Sequence, residues 1–278
     1  MSHISWNVNP EILNVFGISI RYYGLLFGAG LLLCLYILRG IFRDENISSE
    51  KFDKLTLYLV IGVFVGARLG HTLFYQAAHY LSNPLEIFLP IERTVGGGYR
   101  FSGFQGLASH GGAIGLIAAF IICSKKTKLP MVRTMDLIAI VAPLGAVFIR
   151  LGNLMNSEII GLPTNVPWAF VFLRNDNVPR HPTQLYEAIA YLVTFFVLFF
   201  LYKTRHHKIK NGFYFGLAMV MIFTARFFIE FVKERHVAFE EQLSLSMGQM
   251  LSVPFVLLGI GFILFNSHKL LRYRQQVR

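Results

Sequence analysis

The chain has 278 residues, 54% of them hydrophobic and 15% charged, with a mean hydropathy of +0.53. That apolar share exceeds the roughly 45–50% of soluble domains and excludes a disordered chain, a collagen-like fibre and a secreted disulfide scaffold. A net charge of +11 would point to nucleic acid in a soluble protein, but here the basic residues gather at the ends of apolar runs. A membrane-embedded chain without a nucleic-acid partner is the expectation.

Seven runs are long enough to cross a hydrocarbon core of about 30 Å. They cover 18–38, 55–76, 103–123, 136–157, 184–202, 212–233 and 247–266. The runs are continuous rather than alternating, which selects helices over barrel strands. The first is too long, and too poorly preceded by positive charge, to read as a cleaved signal peptide. Cys34 and Cys123 lie inside apolar runs and read as small core residues. The predicted fold is all-α, a polytopic membrane protein of seven transmembrane helices forming one domain over residues 1–278.

Basic residues favour the cytoplasmic side of a membrane. Sixteen cluster after the first, third and fifth spans and at the C-terminus, among them Lys208, Lys269, Arg272, Arg274 and Arg278. Five, including Arg93, Arg180 and Arg235, collect on the opposite side. This predicts an N-terminus outside and a cytoplasmic C-terminus. Two segments on the outer side, 77–102 with its prolines and 158–183 with Trp168, are expected at the membrane surface.

Charges inside a span are costly and usually face a cavity or a partner. Arg68, Arg150 and Arg226 each stand about seven or eight residues before the outer end of their spans, hence roughly 10–12 Å below the surface at 1.5 Å per residue. Arg21 lies higher, and His110 reaches a similar layer from the third span. Glu158, Glu187 and Glu230 could pair with these arginines as structural ion pairs. A surplus of cation would instead want an anion, and arginine binds phosphate bidentately. The fourth span also carries Arg150, Asn153 and Asn156 at i, i+3 and i+6, one polar edge on an apolar rod. Gly24 and Gly28, and Gly62, Gly66 and Gly70, have the four-residue spacing of small-residue helix packing. No group of His, Asp, Glu or Cys has metal-ligand spacing, so no metal or other cofactor is expected. His206 and His207 read as solvated surface.

Five motifs in order carry a resemblance. They are Arg21-Tyr22-Tyr23-Gly24-Leu25, Ser109-His110-Gly111-Gly112, the run Arg150, Gly152, Asn153, Asn156, Glu158 and Gly161, then Arg180-His181-Pro182-Thr183-Gln184-Leu185-Tyr186-Glu187, and Ser246-Met247-Gly248-Gln249. With Arg226 and Glu230 of the sixth span, the chain resembles the bacterial prolipoprotein diacylglyceryl transferases over nearly its whole length. It departs from their pattern at Ile149, Leu154 and Lys233, where glycine, phenylalanine and arginine are usual, and in a longer stretch from Glu92 to Gln105.

The resemblance implies an enzyme of the bacterial cytoplasmic (inner) membrane. It would transfer diacylglyceryl from phosphatidylglycerol to the lipobox cysteine thiol of a prolipoprotein signal peptide, forming a thioether and releasing glycerol phosphate. Two demands follow: the thiol must lose its proton, and the departing phosphate must have its charge held. His110 is the expected general base, and Arg150 and Arg226 the phosphate clamp. Tyr23, Asn153 and Asn156 are expected to bind the headgroup, Glu158 to orient an arginine or a glycerol hydroxyl, and Glu230 to accompany Arg226. Arg68 either joins the substrate site or pairs with Glu158 or another outer acid. Thr183 after Pro182 reads as a helix cap. Two other classes stay open: a lipid flippase or anion transporter, and a phosphoglyceride transferase with another acceptor.

Overall fold

A computed structural model of the chain describes residues 3–15, 18–89, 91–94, 97–101, 106, 108–205, 209–234 and 244–265. Lys208, Arg235, His206, His207, Gly96, Gln105, the C-terminal basic cluster and the start of the third predicted span lie outside them. The chain divides into two compact units, Met1–Ile41 with Val132–Arg278, and Phe42–Met131.

Among the described residues six helices are long and apolar enough to cross a membrane, making this a polytopic membrane protein: α1 (Tyr22–Asp44), α2 (Ser49–Phe74), α6 (Met131–Met155), α7 (Thr183–Arg205), α8 (Phe213–Ile229, prolonged by a 3-10 turn at Glu230–Val232) and α9 (Met247–Phe265). They match six of the seven predicted spans. The third span forms α5 (Ser109–Thr127), which carries Ser109 and His110 in its first turn and Lys125 and Lys126 in its last. Two short helices, α3 (Ala77–Ser82) and α4 (Leu85–Phe88), follow α2.

The all-α expectation omits a set of short strands. In the first unit β1 (Ile4–Trp6) runs parallel to β6 (Phe170–Phe172), which pairs antiparallel with β7 (Pro179–Arg180). A hairpin of β2 (Glu11–Val15) and β3 (Ile18–Arg21) leads into α1. In the second unit β4 (Ile91–Arg93) and β5 (Tyr99–Phe101) form another. Strands of two to five residues carry too little periodicity to be read beside 20-residue apolar runs.

Within the first unit the β1–β6–β7 sheet is fastened to the end of α6. The Trp6 indole donates to the Leu154 carbonyl at 3.0 Å, and Leu154, Ile160, Phe170 and Phe172 form a buried cluster beneath it. Helix α8 starts where the fully buried Asp136 of α6 accepts the amides of Gly212 and Phe215 at 2.6 and 2.8 Å. A cap supplied by another helix satisfies amides that lipid could not.

In the second unit α2 and α5 meet glycine to glycine. A Cβ on Gly70 would stand 2.6 Å from Gly111 Cα, and one on Gly62 2.6 Å from the Ala119 Cβ. The four-residue spacing of Gly62, Gly66 and Gly70 is therefore a packing seam. Gly24 and Gly28 share that spacing but have nothing described within 4 Å of such a Cβ.

Candidate functional site

The end of α6 sets the geometry of the first unit's polar cluster. Ser157 adopts φ 55°, its amide bonds to the Leu154 carbonyl at 3.0 Å, and the Glu158 amide bonds to the Asn153 carbonyl at 3.0 Å. This is a Schellman ending with serine where glycine is usual. It folds the chain back so that Glu158 meets the helix it has just left. Its Oε1 accepts from Asn153 Nδ2 at 3.2 Å and from Asn156 Nδ2 at 2.7 Å. Ile159 is also left-handed, at φ 61°, a costly conformation for a β-branched residue. Side chains from the start of α7 hold it: Thr183 Oγ1 donates to the Ile159 carbonyl and Gln184 Nε2 to the Glu158 carbonyl, both at 2.7 Å. Thr183, read from the sequence as a helix cap, fixes this neighbouring turn together with Gln184.

Arg150 continues the edge inward. Its Nη1 donates to Asn153 Oδ1 at 3.1 Å, its Nε is ion-paired with Glu187 Oε2, and its guanidinium stands 6.0 Å from the Tyr191 ring centre. Glu187 is fully buried. Lys233 Nζ lies 3.4 Å from Glu187 Oε1 and 3.6 Å from Glu230 Oε2. A chain of alternating charge thus runs from Arg150 through Glu187 and Lys233 to Glu230. Tyr23 closes the other side, its ring so near α6 that a Cβ on Gly152 would lie 2.7 Å from it.

Arg226, one helical turn before Glu230, differs from the other cations. Its Nε is buried and has no hydrogen-bond partner among the described residues. Asn156 Oδ1 and Gln184 Oε1 are buried acceptors likewise unpartnered there. Among the described residues the three bases Arg150, Arg226 and Lys233 are matched by Glu158, Glu187 and Glu230, so no surplus cation is described in this cluster. The need for an anion rests on Arg226 and its open donor.

Beside this cluster Arg180 joins Asp176 at 2.6 Å, Glu234 at 3.2 Å and the Gly161 carbonyl at 3.1 Å. The bond to Arg180 holds Asp176 below the usual carboxylate range. Burial lowers His181, which faces Tyr186 Oη at 3.1 Å, while Trp168 Nε1 donates to that same hydroxyl at 2.8 Å.

The second unit holds Arg68 and His110. Arg68, 5% exposed, sends Nε to the Ile87 carbonyl at 3.1 Å, Nη1 to the Gly106 carbonyl at 3.3 Å and Nη2 to the Glu86 carbonyl, and it lies 4.9 Å from the Tyr80 ring centre. These three bonds go to backbone carbonyls, a role that side-chain patterns do not reveal. His110 is the second residue of α5 and is exposed, with its ring 5.8 Å from Phe74 and 5.7 Å from Tyr75. It therefore stands at a helix start, not a third of the way along a span. The structure also brings His79 and Glu86 together at 2.7 Å, a pair the sequence reading passed over. The one available signal was an acid in the otherwise apolar Pro84–Pro90 stretch.

Comparison with known proteins gives a consistent result. The family model described as prolipoprotein diacylglyceryl transferase matches residues 10–265. A protein of Bacteroides fragilis named phosphatidylglycerol–prolipoprotein diacylglyceryl transferase is 52% identical over 266 residues, covering 96% of each chain. Proteins of the same name from Tolumonas auensis and Porphyromonas gingivalis are 42% and 40% identical. They cover 94% of this chain each, and 97% and 94% of the relatives.

Proposed function

The chain belongs to the prolipoprotein diacylglyceryl transferase family, and on that premise we propose that it moves diacylglyceryl from phosphatidylglycerol to the lipobox cysteine of a prolipoprotein. The thiolate sulfur forms a bond to the glycerol carbon that carries the phosphate ester. The carbon–oxygen bond breaks with its electron pair on the phosphate, and glycerol phosphate leaves.

Arg226 carries this reading. Its buried, unpartnered Nε suits a phosphate oxygen, because a donor left open in a water-poor site has most to gain from the charge that develops on the leaving group. Arg150 is the second arm of the clamp, aimed by Asn153 and Glu187. Tyr23, Asn156 and Glu158 line the headgroup's side, where the Asn156 Oδ1 acceptor suits a glycerol hydroxyl. Glu230 holds Lys233 beside Arg226. Arg68 acts as an anchor of its own unit. The thiol proton goes to a histidine of the second unit, and the family motif marks His110 for it.

Helix α5 serves as the seventh span, with the N-terminus outside and the C-terminus cytoplasmic in the bacterial inner membrane. The two units act as a single transferase domain, since the family match runs through both. The test is an assay of purified protein with phosphatidylglycerol and a lipobox peptide. Thiol-dependent release of glycerol phosphate is expected, falling about 10³-fold in Arg150→Ala and vanishing when the acceptor cysteine is replaced by serine. A folded wild-type protein that releases none overturns the reading.

A further inference from the structure

The motif Ser246-Met247-Gly248-Gln249 has no role in the reading above, yet all of it except Met247 is buried at the start of α9. Ser246 and Gln249 form a reciprocal cap: the Gln249 amide donates to Ser246 Oγ at 3.2 Å, and the Ser246 amide to Gln249 Oε1 at 3.0 Å. The other end of that side chain, Gln249 Nε2, donates to the Phe227 carbonyl at 3.4 Å. Phe227 follows Arg226, so the cap of α9 is tied to the turn of α8 that carries the proposed phosphate donor. Farther along, the two helices meet at their backbones. A Cβ on Gly216 would stand 2.6 Å from the Gly259 carbonyl oxygen, and one on Gly259 2.7 Å from that of Gly216.

Gly248 differs from those two glycines. The three atoms nearest to a Cβ placed on it all belong to the Glu230 carboxyl group, whose oxygens would lie at 2.5 and 2.6 Å. The missing side chain therefore makes room for an acid rather than for a neighbouring backbone. That acid is loosely bonded. Its Oε2 is buried and has no hydrogen-bond partner among the described residues, and Lys233 Nζ stands 3.6 Å from it. A carboxylate held at such a distance takes its place from packing, and the wall is the first turn of α9, where a helix also favours negative charge. The place matters because Lys233 is shared. Its Nζ is 3.4 Å from Glu187 Oε1, while Glu187 Oε2 pairs with Arg150. With the Glu230 carboxylate displaced, Lys233 would turn to Glu187 and compete there with Arg150.

We infer that Gly248 is a positioning residue for the transfer: by leaving its Cβ site to the Glu230 carboxylate it fixes Lys233, and through Lys233 and Glu187 the direction of the Arg150 guanidinium. The inference rests on the transferase reading and adds to it a residue that acts only through others. Lys233 offers a flexible point charge rather than a rigid fork, so its place follows that of its carboxylates. Ser246 and Gln249 keep the seat in register with Arg226, by the cap and by the bond to Phe227. The start of α9 thus belongs to the same chain of charge as Arg150, Glu187, Lys233 and Glu230.

The test compares wild type, Gly248→Ala, Glu230→Asp and the double variant, by thermal melts in detergent and by turnover of phosphatidylglycerol with a lipobox peptide. Alanine favours a helix more than glycine does, and the atoms it meets are the far end of a flexible side chain. Gly248→Ala is therefore expected to melt at or above the wild-type temperature, while its kcat/KM falls about 10²-fold. Aspartate is one methylene shorter and draws the carboxylate back from the new methyl group. The double variant should accordingly be about tenfold faster than Gly248→Ala alone, a rescue that a merely structural glycine would not show. A Gly248→Ala rate within about threefold of wild type would overturn the inference. So would losses that simply multiply in the double variant, or a Gly248→Ala protein that melts well below wild type. A folded wild-type protein without turnover would instead sink the transferase reading, and this inference with it.

Discussion

Arg68 and Arg150 look alike in the sequence: each is a single arginine in an apolar helix, near the end that carries the motifs. Their surroundings differ in kind. Arg68 donates to the carbonyls of Glu86, Ile87 and Gly106, groups that can neither titrate nor leave. Arg150 is held by the side chains of Asn153 and Glu187, which set the direction of its guanidinium. A buried arginine bound to backbone is an anchor, whereas one bound by an acid and an amide is an arm with a set direction. Position in a span signals that an arginine matters, but the partner's chemistry decides for what.

This contrast is best broken by comparing alanine variants. Arg150→Ala should lose catalysis while keeping most of its thermal stability, since Lys233 remains beside Glu187. Arg68→Ala should do the reverse. Three carbonyls would lose their charged donor, at a cost of roughly 3 kcal/mol or more, while the fraction that remains folded turns over within about threefold of wild type. Melting curves in detergent paired with active-site-normalised rates would expose any failure, and equal behaviour of the two variants would end the distinction.

A smaller effect is expected from Gly152→Ala. The new methyl would press on Tyr23 and should raise KM for phosphatidylglycerol several-fold, about 1 kcal/mol of lost binding, with kcat held. A change in kcat alone would mean that Tyr23 does not serve the headgroup.

The smallest effect concerns pH. His181 is lowered by burial and Asp176 by Arg180, so both fold with fewer protons bound than the unfolded chain carries. The His181 contribution is complete above the ordinary histidine value near 6.5 and is lost as pH falls through its lower folded value. Asp176 adds its loss further down, below the ordinary value near 3.9. Melting temperature should therefore decline on acidification. A melting temperature that instead rises below pH 6.5 would contradict the assignment.

Six of the seven spans were legible in the sequence, because lipid demands about 20 apolar residues per crossing and charges are driven to the ends. It also exposed the edge of Arg150, Asn153 and Asn156, since helical period alone puts them in line. Other features were out of reach. Arg68 is satisfied by backbone, which every residue has and no pattern marks. Ser157 fills a left-handed position where glycine would have announced the turn. The Gly24 and Gly28 spacing matched that of the α2–α5 seam without a described neighbour that would make it one. Glu187 was visible as an acid, but its choice of Arg150 depends on how α6 and α7 pack.

The pairing of β1 with β6 has a consequence in time. Ile4 is registered against Phe170, so the first strand made must wait unpaired while the intervening helices are synthesised and inserted. At 5–20 residues per second that interval is roughly 8–35 s. The sheet beneath Trp6 is thus a late closure, formed after the arginine-bearing end of α6 has emerged. A defect in β1 would appear as a fully inserted chain in which the end of α6 is never fastened.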